Sequence, residues 1–192
     1  MQRIETRLEG PILIEPRVLG DERGFFCETY RRATFEELGI PEEMVQDNHS
    51  RSRYGIVRGM HFQIGAGAAK LVRCARGAIF DVVVDLRHGS PTFGQWEGFE
   101  LTEGNMRMAY CPIGFAHGFC VLSDVTDVMY KQSNYYADKT ERGIAYNDPD
   151  VGIAWPLPTQ DLIPSARDAS APTLSEIADE LPFRFDTSRV GV

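Results

Sequence analysis

The chain is cut almost from end to end into short runs of apolar, β-branched and aromatic residues, each closed by residues that turn the backbone. Early runs occupy 13–19, 24–30, 44–48 and 55–63; later ones occupy 70–75, 78–87, 96–101, 106–111, 115–122 and 128–135. Arg76-Gly77, His88-Gly89-Ser90-Pro91, Glu103-Gly104-Asn105, Pro112-Ile113-Gly114 and Ser123-Asp124 separate them. Glycine supplies positive φ and proline presets a turn, so these residues end strands. Many short strands punctuated in this way predict an all-β sandwich, jelly roll or barrel. Helices are few. One is predicted over 35–38, closed by Gly39 as its C-cap, and Thr173-Leu174-Ser175-Glu176 reads as a capping box ahead of Ile177 and Leu181. No repeat and no linker divides the chain, so 1–192 is read as one domain, with 156–192 an irregular segment plus a short helix packed on the barrel.

At 192 residues the chain is long enough to bury a sizeable core. Its first residues alternate charges without an apolar stretch, and no run approaches the length needed to span a membrane. The four cysteines (Cys27, Cys74, Cys111, Cys120) form no CxxC pair and read as reduced thiols of a cytoplasmic protein. A net charge of −8 argues against nucleic acid as the partner. Yet 48–80 carries six cations (Arg51, Arg53, Arg58, Lys70, Arg73, Arg76) and no Asp or Glu. Such a patch suits a small anion such as phosphate; equally, its members could sit on outward strand faces and bind nothing.

Two histidines stand out by context. His61 ends the run Gly55 to Gln63, and His117 follows the turn Pro112-Ile113-Gly114. Both segments resemble cupin signatures, Gly-x5-His-x-His and Pro-x-Gly-x2-His, which implies a jelly-roll barrel. Metal-binding cupins supply three histidines and a glutamate, because a transition metal needs several donors converging. Here Gln63 stands at the second histidine position, no Glu lies between His61 and Glu97, and His49 and His88 do not restore the spacing. The expectation is no metal and no cofactor.

Further segments, in order, carry a more specific resemblance. They include Asp21-Glu22-Arg23-Gly24-Phe25-Phe26, Gln46-Asp47-Asn48-His49-Ser50, Val57-Arg58-Gly59-Met60-His61-Phe62-Gln63 and Lys70-Leu71-Val72-Arg73. Ser90-Pro91-Thr92-Phe93-Gly94, Phe115-Ala116-His117-Gly118-Phe119, Tyr130-Lys131 and Ile153-Ala154-Trp155-Pro156 continue the series. Over roughly 10–170 the chain is similar to the dTDP-4-dehydrorhamnose 3,5-epimerase family, metal-free cupins of nucleotide-sugar biosynthesis. The resemblance implies His61 as base, Tyr130 as the opposing proton donor, Asp168 as the carboxylate orienting the imidazole, and Lys70 beside the substrate's C4 oxygen. It implies that Arg23 and Arg58 hold the diphosphate. Glu28, Gln46, Asp47 and Asn48 would bind nucleoside or sugar groups, and His117, Tyr136, Glu141 and Arg167 would line the rest of the site. It also implies a homodimer in which an N-terminal strand crosses to the partner.

The implied chemistry is coherent. In a 4-keto sugar the hydrogens on C3 and C5 flank the carbonyl, so removing either gives an enolate. Inversion then needs a base on one face, an acid on the other and a cation near the oxyanion. Each residue also has a structural reading: a packed histidine, a core tyrosine, a solvated Asp168 in an irregular stretch, a turn-stabilising His117. Two further readings compete, an epimerase of one carbon or of another nucleotide sugar, and a non-catalytic cupin that binds a sugar nucleotide. The Gly/Ala-rich 64–69 stretch and Arg167, where the family commonly has Lys, depart from the family pattern.

Overall fold

The computed structural model describes residues 1–186. Thirteen strands are found among them: β1 (Gln2–Ile4), β2 (Ile12–Glu15), β3 (Val18–Asp21), β4 (Gly24–Cys27), β5 (Gln46–Ser52), β6 (Val57–Gln63), β7 (Lys70–Arg76), β8 (Ala78–Asp85), β9 (Trp96–Thr102), β10 (Met108–Cys111), β11 (Phe115–Val121), β12 (Thr126–Gln132) and β13 (Glu141–Gly143). Three short helices join them, α1 (Arg32–Glu37), α2 (Ala166–Ala169) and α3 (Leu174–Ile177). The fold is the expected cupin-like jelly roll, built as two facing antiparallel sheets not closed by a continuous ring of hydrogen bonds. One sheet runs β1-β2-β10-β7-β12-β5, the other β13-β6-β11-β8-β9, and β3 with β4 forms a separate hairpin.

Alternation along the strands sorts side chains into layers. Val72, Cys74, Ile79, Val83, Ala109, Phe115, Phe119 and Val128 point between the sheets and close one end of the interior. Outside the six-stranded sheet, Ile12, Ile14, Leu71 and Met108 are covered by Phe35 of α1 and by Ile40. Outside the other sheet, Met60, Phe62, Val82 and Val84 are covered by Val151, Leu174, Leu181 and Phe183. The C-terminal segment is therefore a lid on an apolar sheet face, which is why a stretch poor in regular structure packs down. Residues 187–192, the end of the predicted C-terminal segment, lie outside the described residues.

Local signals act where the sequence places them. Gly39, at φ 93°, stops α1, with the Ile40 N–H donating to the Phe35 carbonyl at 2.9 Å and the Gly39 N–H to Glu36 at 3.0 Å. That is a Schellman closure, and its two end residues, Phe35 and Ile40, are both buried. Thr173 and Glu176 form the predicted capping box of α3. Several expectations need correction, among them the run 24–30, which stops at Cys27. The run 13–19 is two strands, since Pro16 cannot donate to a ladder. The run 128–135 stops at Gln132. The stretch around Asp168 is a helical turn, α2.

Candidate active site

Between the sheets, bordering the apolar cluster at Phe119, lies a cavity of about 410 Å³. Its two walls come from different sheets. β6 and β11 of the five-stranded sheet contribute Arg58, His61, His117 and Phe119; β5, β7 and β12 of the six-stranded sheet contribute Ser50, Lys70, Tyr130 and Gln132. The rim is closed by Tyr136, Glu141, Ser165, Arg167 and Asp168.

Strict alternation would put Arg58 and His61 on opposite faces of β6, being three residues apart. A bulge brings both inward. Across β11, Arg58 pairs with Phe119 and His61 with His117, so three steps on β6 match two on its neighbour. The glycines on either side make this crowded crossing feasible. A Cβ on Gly59 would lie 2.5 Å from the Gly118 Cα, and one on Gly118 would lie 2.7 Å from the Arg58 carbonyl oxygen.

His61 is a quarter exposed, and its Nε2 meets Asp168 Oδ1 at 2.7 Å. Asp168 is buried and also accepts from the Gly59 N–H at 3.4 Å. Burial alone would raise its carboxyl pKa, but the His61 hydrogen bond and charge outweigh it and hold the group below the usual carboxylate range. Beside this pair stands a second one: His117 Nε2 lies 2.8 Å from Asp81 Oδ2, both residues buried. Lys70 is buried too, its Nζ donating to the His61 carbonyl at 3.1 Å. Its burial pushes the ammonium pKa down, against the pull of Cys111, Glu141 and Asp81. Burial, and then the charge of Glu141, push the Tyr130 phenol up, partly offset by Arg58, so it holds its proton at neutral pH.

At the rim, the Glu141 carboxylate accepts from the Tyr136 hydroxyl at 3.1 Å and is ion-paired with Arg167. Gln46 and Asn48 face inward on β5 without lining the cavity. Gln46 Oε1 accepts the Tyr136 N–H at 2.8 Å, and Gln46 Nε2 donates to Asn48 Oδ1 at 2.9 Å. They buttress the rim.

Besides Gln46 and Asn48, three predicted residues are not brought to this cavity within the chain. Asp47 lies between two inward residues of β5 and so faces outward, 2.8 Å from Lys131 Nζ. Arg23 sits exposed on the β3–β4 hairpin, paired with Asp21, and Glu28 just beyond it is paired with Arg31. The basic patch is divided between the two readings left open for it. Arg58 and Lys70 reach the cavity, whereas Arg51 pairs outward with Asp127 at 2.7 Å and Arg73 faces the outside of its sheet near Met129.

Asp81, Ser165, Gln132 and Ser50 were not singled out from the sequence. For Asp81 a signal existed: an aspartate inside the run Ile79-Phe80-Asp81-Val82-Val83-Val84 must be buried, and a buried carboxylate needs a partner. Among the described residues no three His, Cys, Asp or Glu converge as metal ligands; each inward histidine is engaged by its own aspartate.

Comparison with known proteins identifies the family. The family model described as dTDP-4-dehydrorhamnose 3,5-epimerase matches residues 5–176. The dTDP-4-dehydrorhamnose 3,5-epimerase of Salmonella typhimurium is 50% identical over 175 residues, 90% of this chain and 95% of that protein. That of Pseudomonas aeruginosa is 53% identical over 161 residues, 82% of this chain and 89% of its own length. The solved structure of a dTDP-6-deoxy-D-glucose-3,5-epimerase from Legionella pneumophila, in complex with dTDP-4-keto-L-rhamnose, superposes with a TM-score of 0.93 at 46% identity, covering 97% of this chain and 99% of that one. With its sequence matched nearly end to end and its fold superposed, the chain belongs to the dTDP-4-dehydrorhamnose 3,5-epimerase family.

Proposed function

We propose that the chain inverts C3 and C5 of dTDP-4-keto-6-deoxy-D-glucose, giving dTDP-4-keto-L-rhamnose on the route to dTDP-L-rhamnose. The observation that carries this reading is that His61 and Tyr130 stand on opposite sheets and line one cavity. A hexose ring between them exposes one face to an imidazole and the other to a phenol.

Asp168 accepts the hydrogen bond from Nε2 of His61, which fixes the tautomer and leaves the lone pair on Nδ1. That nitrogen takes the proton from C5 or C3, and the C–H electrons move into the C4 carbonyl as an enolate. The Lys70 ammonium offsets the new charge, which counts for more inside a desolvated cavity than in water. Tyr130 then delivers its proton to the opposite face, reforming the carbonyl with that carbon inverted. Exchange with water returns His61 and Tyr130 to their starting states before the second carbon reacts. The steps are proton transfers throughout, so no redox cofactor takes part. Arg58 holds the diphosphate, His117, with Nε2 on Asp81, accepts from a sugar hydroxyl at Nδ1, and Tyr136, Glu141, Arg167, Gln46 and Asn48 shape the rest of the site.

The working unit in this reading is a homodimer of single-domain subunits. Among the described residues the β3–β4 hairpin joins no other strand, and it exposes Val18, Leu19, Phe25 and Phe26, the last two by 67% and 69%. β5 is an edge strand beside the cavity. A hairpin laid along that edge buries its phenylalanines and carries Arg23 and Glu28 of the partner subunit to the site. The described cysteines form no disulfide, which suits the cytoplasm. Among the described residues no helix is long and apolar enough to cross a membrane.

Incubation with dTDP-4-keto-6-deoxyglucose in deuterated water tests the reaction. Deuterium is expected at both C3 and C5, with the L-rhamno product trapped by a 4-ketoreductase. Label at one carbon alone would reassign the enzyme as a mono-epimerase, and label at neither would overturn the reading.

A further inference from the structure

α2 spans four residues, too few to hold a helical turn by its own hydrogen bonds. It is nonetheless where Asp168 resides, so whatever imposes the turn also aims the carboxylate at His61. Two tethers act on the segment that enters it. Ile163 bridges to Ile56, with its N–H donating to the Gly55 carbonyl at 2.8 Å and its carbonyl accepting from Val57 at 3.0 Å. This fastens the segment to the start of the strand that bears His61.

Ser165 follows two residues later. Its Oγ accepts the Asp168 N–H at 3.1 Å, and its carbonyl accepts the Ala169 N–H at 2.9 Å. It is the N-cap of α2, in extended backbone at φ −69° and ψ 162°. The Asp168 amide would otherwise be one of the unsatisfied donors of a helix start. The capped residue and the residue that orients the imidazole are the same. Burial pushes the Asp168 carboxyl up, and Ser165 is among the hydrogen-bonding groups that bring it down, after His61 and Gly59.

We propose that Ser165 is a positioning residue for the epimerisation: its hydroxyl sets the Asp168 carboxylate against His61 by capping the turn that carries it. This inference rests on the reading of His61 and Asp168 as the base pair. Ser165 also borders the cavity.

The test compares Ser165→Ala, Ser165→Gly and Ser165→Thr with Asp168→Asn, measuring kcat, KM and the rate of deuterium wash-in at C3 and C5. Losing a cap bond typically weakens a helix start about fivefold as an equilibrium. Ser165→Ala is therefore expected to lower kcat and wash-in roughly five- to tenfold, with KM within about twofold of the parent. Ser165→Thr, which keeps a capping hydroxyl, is expected to restore most of both. Ser165→Gly tolerates the cap backbone but lacks the oxygen, so it should behave like Ala in wash-in even if Ala folds poorly. Unchanged wash-in in Ala and Gly, with only a lower Tm, would overturn the proposal. So would a Thr variant no better than Ala. If Asp168→Asn also kept full wash-in, the base-pair reading would fall instead; if Asp168→Asn were impaired and Ser165→Ala not, this inference alone would fail.

Discussion

At the scale of single residues, three inward groups of the site are each held by a neighbour. His61 has Asp168, His117 has Asp81 and Lys70 has the His61 carbonyl. Removing the reacting group is expected to stop chemistry and leave binding. His61→Ala should lose deuterium exchange at both carbons while dTDP still binds in calorimetry; surviving exchange would remove His61 from the role of base. Tyr130→Phe should retain deprotonation and lose inversion, seen as deuterium entering without change of configuration. Asp168 carries a pH prediction. Its native pKa is depressed, so the stabilisation it gives is fully present above its unfolded value of about 3.9 and fades as pH falls through the native one. The Tm gap between the parent and Asp168→Asn should thus be widest at pH 5 and above and shrink as acid is added. A gap that widened in acid would contradict the pairing. Among these residues His61, Lys70 and Tyr130 were legible from sequence because family motifs surround them. The Asp81 partner of His117 was not, since pairing across strands depends on register, which motif spacing does not encode.

At the scale of elements, alternation and turn chemistry account for most strands, and the exceptions have physical reasons. β1 and β13 are three residues each and exist by adding to an edge, so they carry little pattern of their own. α2 has no apolar periodicity because its position comes from capping and from the Ile163 bridge. The bulge in β6 is equally invisible to a period-two reading, although Gly59 and Gly118 mark where backbones meet. The β3–β4 hairpin is the element that a single chain leaves unexplained, with its large aromatic side chains in solvent. Replacing Phe25 and Phe26 together by Ser removes roughly 3–6 kcal/mol of potential burial per subunit. The double variant is expected to sediment as a monomer at micromolar concentration and to lose most of its turnover. Mixing it with a His61→Ala chain asks whether sites are shared, because a mixed dimer holds one His61 site that receives an intact hairpin. Recovery of activity is expected; a fully active monomer would sink the shared-site reading.

At the scale of the molecule, the space between the sheets is divided. One end is filled by aliphatic and aromatic side chains and supplies the burial that holds the sheets together; the other is left open and lined with ions and amides. Such a division trades stability for chemistry, because polar groups kept from water without full pairing oppose folding. Lys70 is the sharpest instance. It lies in the inward row Cys111-Lys70-Gln132 across β10, β7 and β12, it is buried, and one carbonyl is its hydrogen-bond partner. Its burial lowers the pKa of the ammonium, which is the signature of a charge held where solvent would serve it better. An enolate oxygen beside it would remove that penalty, so the lysine is more comfortable in the reacting complex than in the free enzyme. The two consequences separate experimentally. Lys70→Met nearly keeps the volume of the side chain, drops the charge and puts an apolar group between Cys111 and Gln132. It is expected to raise Tm by a few degrees. The same change should cut turnover on the order of a hundredfold or more, the scale seen when an oxyanion-stabilising group is lost. Thermal unfolding and the deuterium assay on one preparation decide the matter. A variant that is both less stable and inactive would mean Lys70 is part of the scaffold, and one that kept its turnover would mean the enolate charge is met by another group.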